Sequence, residues 1–187
     1  MAVRILGGTH RSRLITTPRG MDTRPTRSMV REAVFNILQG QLAGSRVLDL
    51  FAGSGAMGLE ALSRGASLAV FCDRQQAARQ AISENLRRLQ LADAAQLLQA
   101  DWQQAIRQLQ ARKQQFHLIF LDPPYKMDAE PVLAALVAAD LLDRDGHIIL
   151  EQSTQTTPGL PDALEIQQNR RYGQTRLYII TRKGEPA

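Results

Sequence analysis

The residues best placed to do chemistry are Asp122, Pro123, Pro124 and Tyr125, which close the run FHLIFLDPPYK at residues 116–126. Asp122 offers a carboxylate, and the backbone carbonyl of Pro123 offers a second acceptor beside it. Neither proline has an N–H to compete, and the fixed φ of each ring holds the carbonyl directions. Tyr125 adds an aromatic face. The tetrad therefore suits a planar group carrying an exocyclic amine, which needs acceptors for its two N–H bonds and a surface to stack on. A rigid strand-to-helix connection, with Asp122 capping a turn, is the alternative reading of the same four residues.

A second stretch, VLDLFAGSGAMGLEAL, holds Gly53, Gly55 and Gly58 between a predicted strand and a predicted helix. This spacing lets the backbone approach a ligand at a helix N-terminus. Asp73 closes the next strand, twenty residues after Gly53, where it can hold ribose hydroxyls. On these residues alone a dinucleotide site also fits, as does a glycine turn chosen for tight packing. Asp49 separates the nucleotide readings. It lies inside an apolar strand, where a carboxylate is costly unless it binds something. A ligand ammonium or the loop's own N–H groups would justify it, whereas a pyrophosphate would be repelled. S-adenosylmethionine carries such an ammonium and NAD does not. Asp49, Asp73, Asp101 and Asp122 thus close successive strands, at the edge where doubly wound sheets bind ligands. Asp101 also reads as an N-cap for the helix that follows.

The elements that must position these residues alternate from residue 46 onward. RVLDLF, SLAVFCD, AQLLQA, FHLIFLD and GHIILEQ read as strands, separated by helices over AMGLEALSRG, 75–91, WQQAIRQLQARK and PVLAALVAADLL. Near-continuous apolar strands in this alternation predict a parallel sheet covered on both faces. ALEIQQNRRYG and QTRLYIITRK predict two further strands joined by a short turn, an antiparallel ending. Ahead of this lie two short strands at 3–6 and 11–17 around a GGTH turn, then a helix carrying Val30, Ala33, Val34, Ile37 and Leu38, with Thr26 as its cap.

The charge is uneven. Net charge is +5, yet residues 1–31 hold seven arginines against the single Asp22, leaving the rest of the chain close to neutral. The planar guanidinium suits phosphate oxygens and base edges, so an acidic polymer is the expected partner. The one cysteine, Cys72, excludes an internal disulfide and is expected in the core. His10, His117 and His147 are scattered, so no metal is expected. No apolar run approaches a membrane span and no secretory leader is visible, so a cytoplasmic location is expected. Asn85 is expected to tie its helix to the sheet, Tyr172 to pack at a strand end, and Glu32 to be a weak candidate for the cofactor side.

RILGGTHRSRL at 4–14, RPT at 24–26, VREAVFNIL at 30–38, LDLFAGSGAMGLEALSRGA at 48–66, LDPPYK at 121–126 and YGQT at 172–175 resemble, in this order, the bacterial ribosomal small-subunit RNA methyltransferase D family. The resemblance implies an α/β class I methyltransferase: a Rossmann-like seven-stranded mixed sheet, helices on both faces and an N-terminal β-hairpin plus helix extension. It implies methyl transfer from S-adenosylmethionine to N2 of a guanine in 16S rRNA, naked or in a small-subunit particle, by a monomer. Asp49, Phe51, Ala52, Gly53, Gly55, Asp73, Arg74, Asp101 and Trp102 would hold the cofactor, and Asp122, Pro123, Pro124 and Tyr125 the target amine. Arg4, Arg11, Arg13, Arg24, Arg27 and Arg31 would contact RNA. Residues 1–26 would form the RNA-binding extension and 27–187 the methyltransferase domain. Ser12 departs from the family, whose members often have Gly there. The rivals are an adenine-N6 or cytosine-N4 methyltransferase, an NAD-dependent oxidoreductase and a non-catalytic RNA-binding module.

Overall fold

The structure is a computed structural model and describes residues 3–18, 25–124 and 127–184, with the side chains of residues 25–27 outside the description. The first described element is an antiparallel hairpin, β1 (Val3–Arg4) and β2 (Leu14–Ile15). Helix α1 (Pro25–Ile37) follows. It begins at Pro25, a residue pre-set for a first helical turn, so Thr26 lies inside the helix instead of capping it.

The alternating region then runs β3 (Arg46–Asp49), α2 (Ala56–Ser63), β4 (Leu68–Cys72), α3 (Gln76–Leu89), a short 3-10 turn, β5 (Ala95–Leu98), α4 (Trp102–Ala111), β6 (Phe116–Leu121), α5 (Glu130–Ala138), β7 (Leu142–Ser153), β8 (Leu164–Tyr172) and β9 (Thr175–Arg182). The seven strands from β3 on form one sheet in the order β5-β4-β3-β6-β7-β9-β8. The first five pair in parallel, and β9 inserts antiparallel between β7 and β8. The mixed seven-stranded sheet expected from the sequence is therefore present.

Each central strand feeds both cores, because alternate side chains point to opposite faces. Leu48, Val70, Ile119 and Leu150 pack with Ala105, Ile106, Leu109, Val132 and Leu136 of α4 and α5. Val47, Phe71, Phe120 and Ile149 pack with α1, α2 and α3, and with Ile5 and Ile15 of the hairpin region. Phe35, fully buried, meets Phe120 at a centroid distance of 5.8 Å, and the Arg64 guanidinium lies 5.1 Å over its ring.

One expected boundary is corrected. The helix read through Leu142 ends at Ala138, and Leu142 opens β7. Asp140 takes a left-handed φ of 52°, and Leu141 N–H returns to the Leu136 carbonyl at 3.2 Å. This reversal closes the helix and starts the strand.

The segment joining β1 to β2 is seated on the domain, not projecting from it. The Glu60 carboxylate, fully buried on α2, accepts the N–H groups of Leu6 and Gly7, each at 2.7 Å, and the Arg64 Nε–H at 2.8 Å. Ser63 Oγ accepts the His10 N–H at 2.9 Å and donates to the Gly7 carbonyl at 2.6 Å. A Cβ on Gly8 would lie 1.8 Å from the Ser63 carbonyl oxygen, so this approach requires glycine.

Candidate active site

A cavity of about 600 Å³ opens at the carboxyl edge of the sheet. It is lined by Asp49, Phe51, Ala52 and Gly53 after β3, by Asp73 and Arg74 after β4, and by Asp101 and Trp102 after β5. Asp122, Pro123 and Pro124 after β6 complete the arc. Thus eight of the nine residues expected to hold a cofactor share one cavity with the described part of the tetrad. Gly55 does not line it. Its φ of 77° makes the turn into α2, and a Cβ there would press on Ile82 and Phe71 at 3.1 and 3.3 Å.

The glycine loop is held by the acids themselves. Asp49, 4% exposed, accepts the Gly58 N–H at 3.1 Å across the first turn of α2. Gly55 supplies no side chain there, so Asp49 satisfies that terminus from the neighbouring strand. Burial pushes the Asp49 carboxyl up to about 7; the Gly58 N–H opposes this, and Asp122 and Asp73 add repulsion. Gly58 serves packing as well, since a Cβ on it would lie 2.3 Å from the Phe71 ring. Asp73 accepts the Gly53 N–H at 2.9 Å and the Gln75 N–H at 2.8 Å, which bends the chain after β4. Each oxygen keeps a further lone pair for a ligand hydroxyl.

Asp101 fulfils its capping role, accepting the Gln104 N–H at 2.8 Å, while still lining the cavity. Trp102 both packs against the core and lines the cavity. The Pro124 carbonyl accepts the Met127 N–H at 2.7 Å. Among the described residues, no backbone N–H reaches the Pro123 carbonyl. Tyr125 lies outside the described residues.

The residues expected to meet RNA divide. Arg4, Arg11 and Arg13 are exposed on the hairpin. Arg24 and the Arg27 side chain lie outside the described residues. Arg31 differs from these: it is 6% exposed, donates from Nη2 to the Arg4 carbonyl at 2.7 Å and lines the cavity. Burial lowers its pKa; Glu60 offsets this and Arg64 adds to it.

Asn85 ties its helix to the hairpin and the glycine loop, not to a strand of the main sheet. Its amide donates to the Thr16 and Ser54 carbonyls at 2.9 and 3.2 Å and accepts the Thr16 N–H at 2.8 Å. Glu32 is exposed and outside the cavity. Cys72 is buried, with its thiol pushed up to about 12 by burial and then by Asp73, as a core residue should be. Sequence reasoning missed Glu151, which lines the cavity from within β7. The signal was present, because Glu151 is a fifth acid, after the apolar run of the next strand.

A seven-stranded sheet whose last strand is antiparallel, with a glycine loop and acids at the carboxyl edge, is the architecture of class I methyltransferases. The chain belongs to the family described as conserved hypothetical protein 95, whose model matches residues 3–181. The ribosomal RNA small subunit methyltransferase D of Escherichia coli is 32% identical over 187 residues, covering 98% of this chain and 92% of the relative. A Bacillus subtilis protein with a provisional rRNA methyltransferase name is 36% identical, covering 97% of this chain and all of the relative. A solved Escherichia coli structure, provisionally described as a methyltransferase, matches with a TM-score of 0.86 at 28% identity, covering 99% of this chain and 100% of that one. Membership agrees with the resemblance carried by the motifs. Among the described residues no helix is long and apolar enough to cross a membrane, and no cluster of potential metal ligands is present.

Proposed function

We propose that this protein transfers a methyl group from S-adenosylmethionine to the exocyclic N2 of a guanine in 16S ribosomal RNA. One observation carries the reading: the Asp49–Asp73 glycine loop and the Asp122–Pro123 turn open into the same cavity. The cofactor fits the residues present. Asp49 is a buried acid whose pKa is raised to about 7, an environment that a ligand ammonium would relieve. Asp73 sits one strand away to meet ribose hydroxyls, and Phe51 and Trp102 provide apolar surface for adenine. When bound, S-adenosylmethionine supplies an electrophilic sulfonium methyl.

The chain's own residues then have a positioning task. The nitrogen of a conjugated amine is a poor nucleophile, because its lone pair is delocalised into the ring. Asp122 and the Pro123 carbonyl accept its two N–H bonds and turn the lone pair toward the methyl group. The methylated amine is strongly acidic while cationic, so orientation suffices and no strong base is required. Tyr125 stacks on the base, which leaves its RNA stack to enter the cavity. Residues 1–26 form the RNA-binding extension: Arg4, Arg11, Arg13 and Arg24, together with Arg27, meet phosphates, and Arg31 contacts the substrate inside the cavity.

The test offers labelled S-adenosylmethionine with 16S RNA, naked and as small-subunit particles, from a strain lacking this protein, and then maps the methylated nucleotide. Label at N2 of one guanine supports the reading. Label in DNA or protein, or at another base, overturns it. Full biological function in an Asp122→Ala variant would favour a non-catalytic RNA-binding role.

A further inference from the structure

Asp122 has an acidic neighbour in the next strand. Strands β6 and β7 run parallel with Leu121 opposite Leu150, so the following positions, Asp122 just past the end of β6 and Glu151 within β7, stand side by side. Side-chain alternation sends both the same way. Phe120 and Ile149 belong to the core on the α1 side, and Asp122 and Glu151 each lie two residues further on. Both acids line the cavity, where Ile149 and Leu177 also contribute apolar surface. Adjacent strands are about 4.8 Å apart, so the two carboxylates are neighbours on one wall of the cavity, and each carboxylate has lone pairs enough for more than one donor.

A base edge that matches neighbouring acceptors must carry neighbouring donors. Adenine presents an amine beside the acceptor N1, and cytosine an amine beside the acceptor N3. Uracil places its single N–H between two carbonyls. Guanine alone among the four presents an amine and a ring N–H side by side, at N2 and N1.

We propose that Glu151 reads the target base as guanine by accepting its N1–H, while Asp122 and the Pro123 carbonyl hold the N2 amine. The proposal rests on the methyl-transfer reading above and assigns the base choice to a named side chain. A second observation supports a polar substrate in this part of the cavity. Arg31 is 6% exposed and lines the cavity, and its Nε has no partner among the described residues. A guanidinium held there meets the acceptor atoms that accompany guanine's donors and offsets the paired carboxylates. Rejection of the wrong base then follows from unmatched polar groups. An adenine or cytosine would set a ring-nitrogen lone pair against the Glu151 carboxylate, a mismatch that buried sites punish far more than a lost methylene.

The test uses 16S RNA ligated to carry either guanosine or 2-aminopurine riboside at the mapped position, assembled into small-subunit particles. 2-Aminopurine keeps the 2-amino group but turns N1 into an acceptor. kcat/KM for methyl transfer is measured on both substrates with the wild type, Glu151→Gln and Glu151→Ala. The two amines differ in intrinsic reactivity, but that difference cancels when variant and wild-type ratios are compared. The wild type should prefer guanosine by on the order of 100-fold or more. Both variants should narrow that preference by about 10-fold or more, Gln most, because its amide can donate to an acceptor N1.

A wild type that uses both bases alike overturns the proposal. So does a variant that keeps the full preference, or one that loses both substrates equally together with S-adenosylhomocysteine affinity, which marks a structural role. Failure of the wild type on guanosine RNA sinks the methyl-transfer reading itself. Normal wild-type transfer with an unmoved preference in the variants sinks only the role of Glu151.

Discussion

The Asp49 carboxylate accepts the Gly58 N–H at 3.1 Å, and Gly58 is a residue whose added Cβ would strike Phe71 at 2.3 Å. One contact thus serves two ends. It terminates α2 where no capping side chain exists, and it holds a buried acid with its pKa raised to about 7 at the wall of the cavity.

This raised pKa gives cofactor binding a pH dependence of known sign. The groups facing Asp49 are the Gly58 N–H and the carboxylates of Asp122 and Asp73. A bound ammonium favours the ionised carboxylate, so below pH ~7 binding must release a proton. S-adenosylhomocysteine affinity should weaken as pH falls from 8 to 5.5, approaching about tenfold per unit below 7. Calorimetry in two buffers of different ionisation heat should detect the proton release, and Asp49→Asn should bind weakly with no such dependence. The ligand-free protein follows the same linkage. An acid with a raised folded pKa contributes stability at low pH that is lost as pH rises from about 4 to 7. Asp49→Asn should therefore gain thermal stability relative to the wild type at pH 8 and not at pH 4. A pH-independent wild-type affinity would contradict the whole account.

Glu60 should prove structurally expensive to lose. Its carboxylate accepts the Leu6 and Gly7 N–H groups and the Arg64 Nε–H with no exposure to solvent. Glu60→Ala leaves three donors without their acceptor and should cost about 3 kcal/mol in urea denaturation. Because the hairpin loses its anchor, amide exchange should rise at Ile5–His10 before it rises in β3 or β6. Uniform exchange across the protein would argue against this local anchoring.

Two neighbouring substitutions on the hairpin should act in opposite directions. Gly8 has φ 75° and sits against the Ser63 carbonyl, so Gly8→Ala meets both a strained backbone and a backbone clash. It should destabilise by about 2 kcal/mol or more. Ser12 also holds a left-handed φ, 69°, while its N–H donates to the Ile5 carbonyl at 2.8 Å. Ser12→Gly relieves that strain and should stabilise by about 0.5–1 kcal/mol. A thermal melt of both variants decides the matter. Here the departure of Ser12 from the family pattern becomes a conformational statement.

The parallel sheet and its acids were legible in the sequence because both obey simple spacing. Apolar runs of strand length alternate with helical periodicity, and an acid at each strand end marks the ligand edge. Helix ends were legible only where glycine marked them. Gly65 closes α2 with a φ of 101°, but Gln90, Lys113 and Asp140 take the same left-handed position after α3, α4 and α5. Tertiary context imposes that conformation there, which is why apolar patterning alone carries the helix ending at Ala138 on to Leu142. The burial of Arg31 is hidden in the sequence for a related reason. Charge alone puts arginines in solvent, and only the packing of α1 against the hairpin shows one buried. The docked Gly7–His10 segment was likewise invisible, because Glu60 and Ser63 lie more than fifty residues away in sequence.

The exposed hairpin arginines provide the last expectation. Arg11 and Arg13 follow directly on a segment, Leu6–His10, whose backbone is fixed to α2 through Glu60 and Ser63, so their guanidinium groups are carried on an anchored hairpin. Phosphate contacts release counterions, and each one lost should flatten the salt dependence of RNA binding by a little under one unit of slope. Arg11→Ala with Arg13→Ala should therefore weaken 16S RNA binding in a filter assay and lower the slope of log K against log salt by about 1.5. KM for RNA should rise, and S-adenosylhomocysteine affinity should stay at the wild-type value, since neither residue lines the cavity. RNA affinity equal to the wild type at low and moderate salt would remove the hairpin from the RNA interface. The anchoring makes the outcome specific: with the backbone held by Glu60, a loss of RNA affinity in this variant reports the two side chains and not a displaced arm.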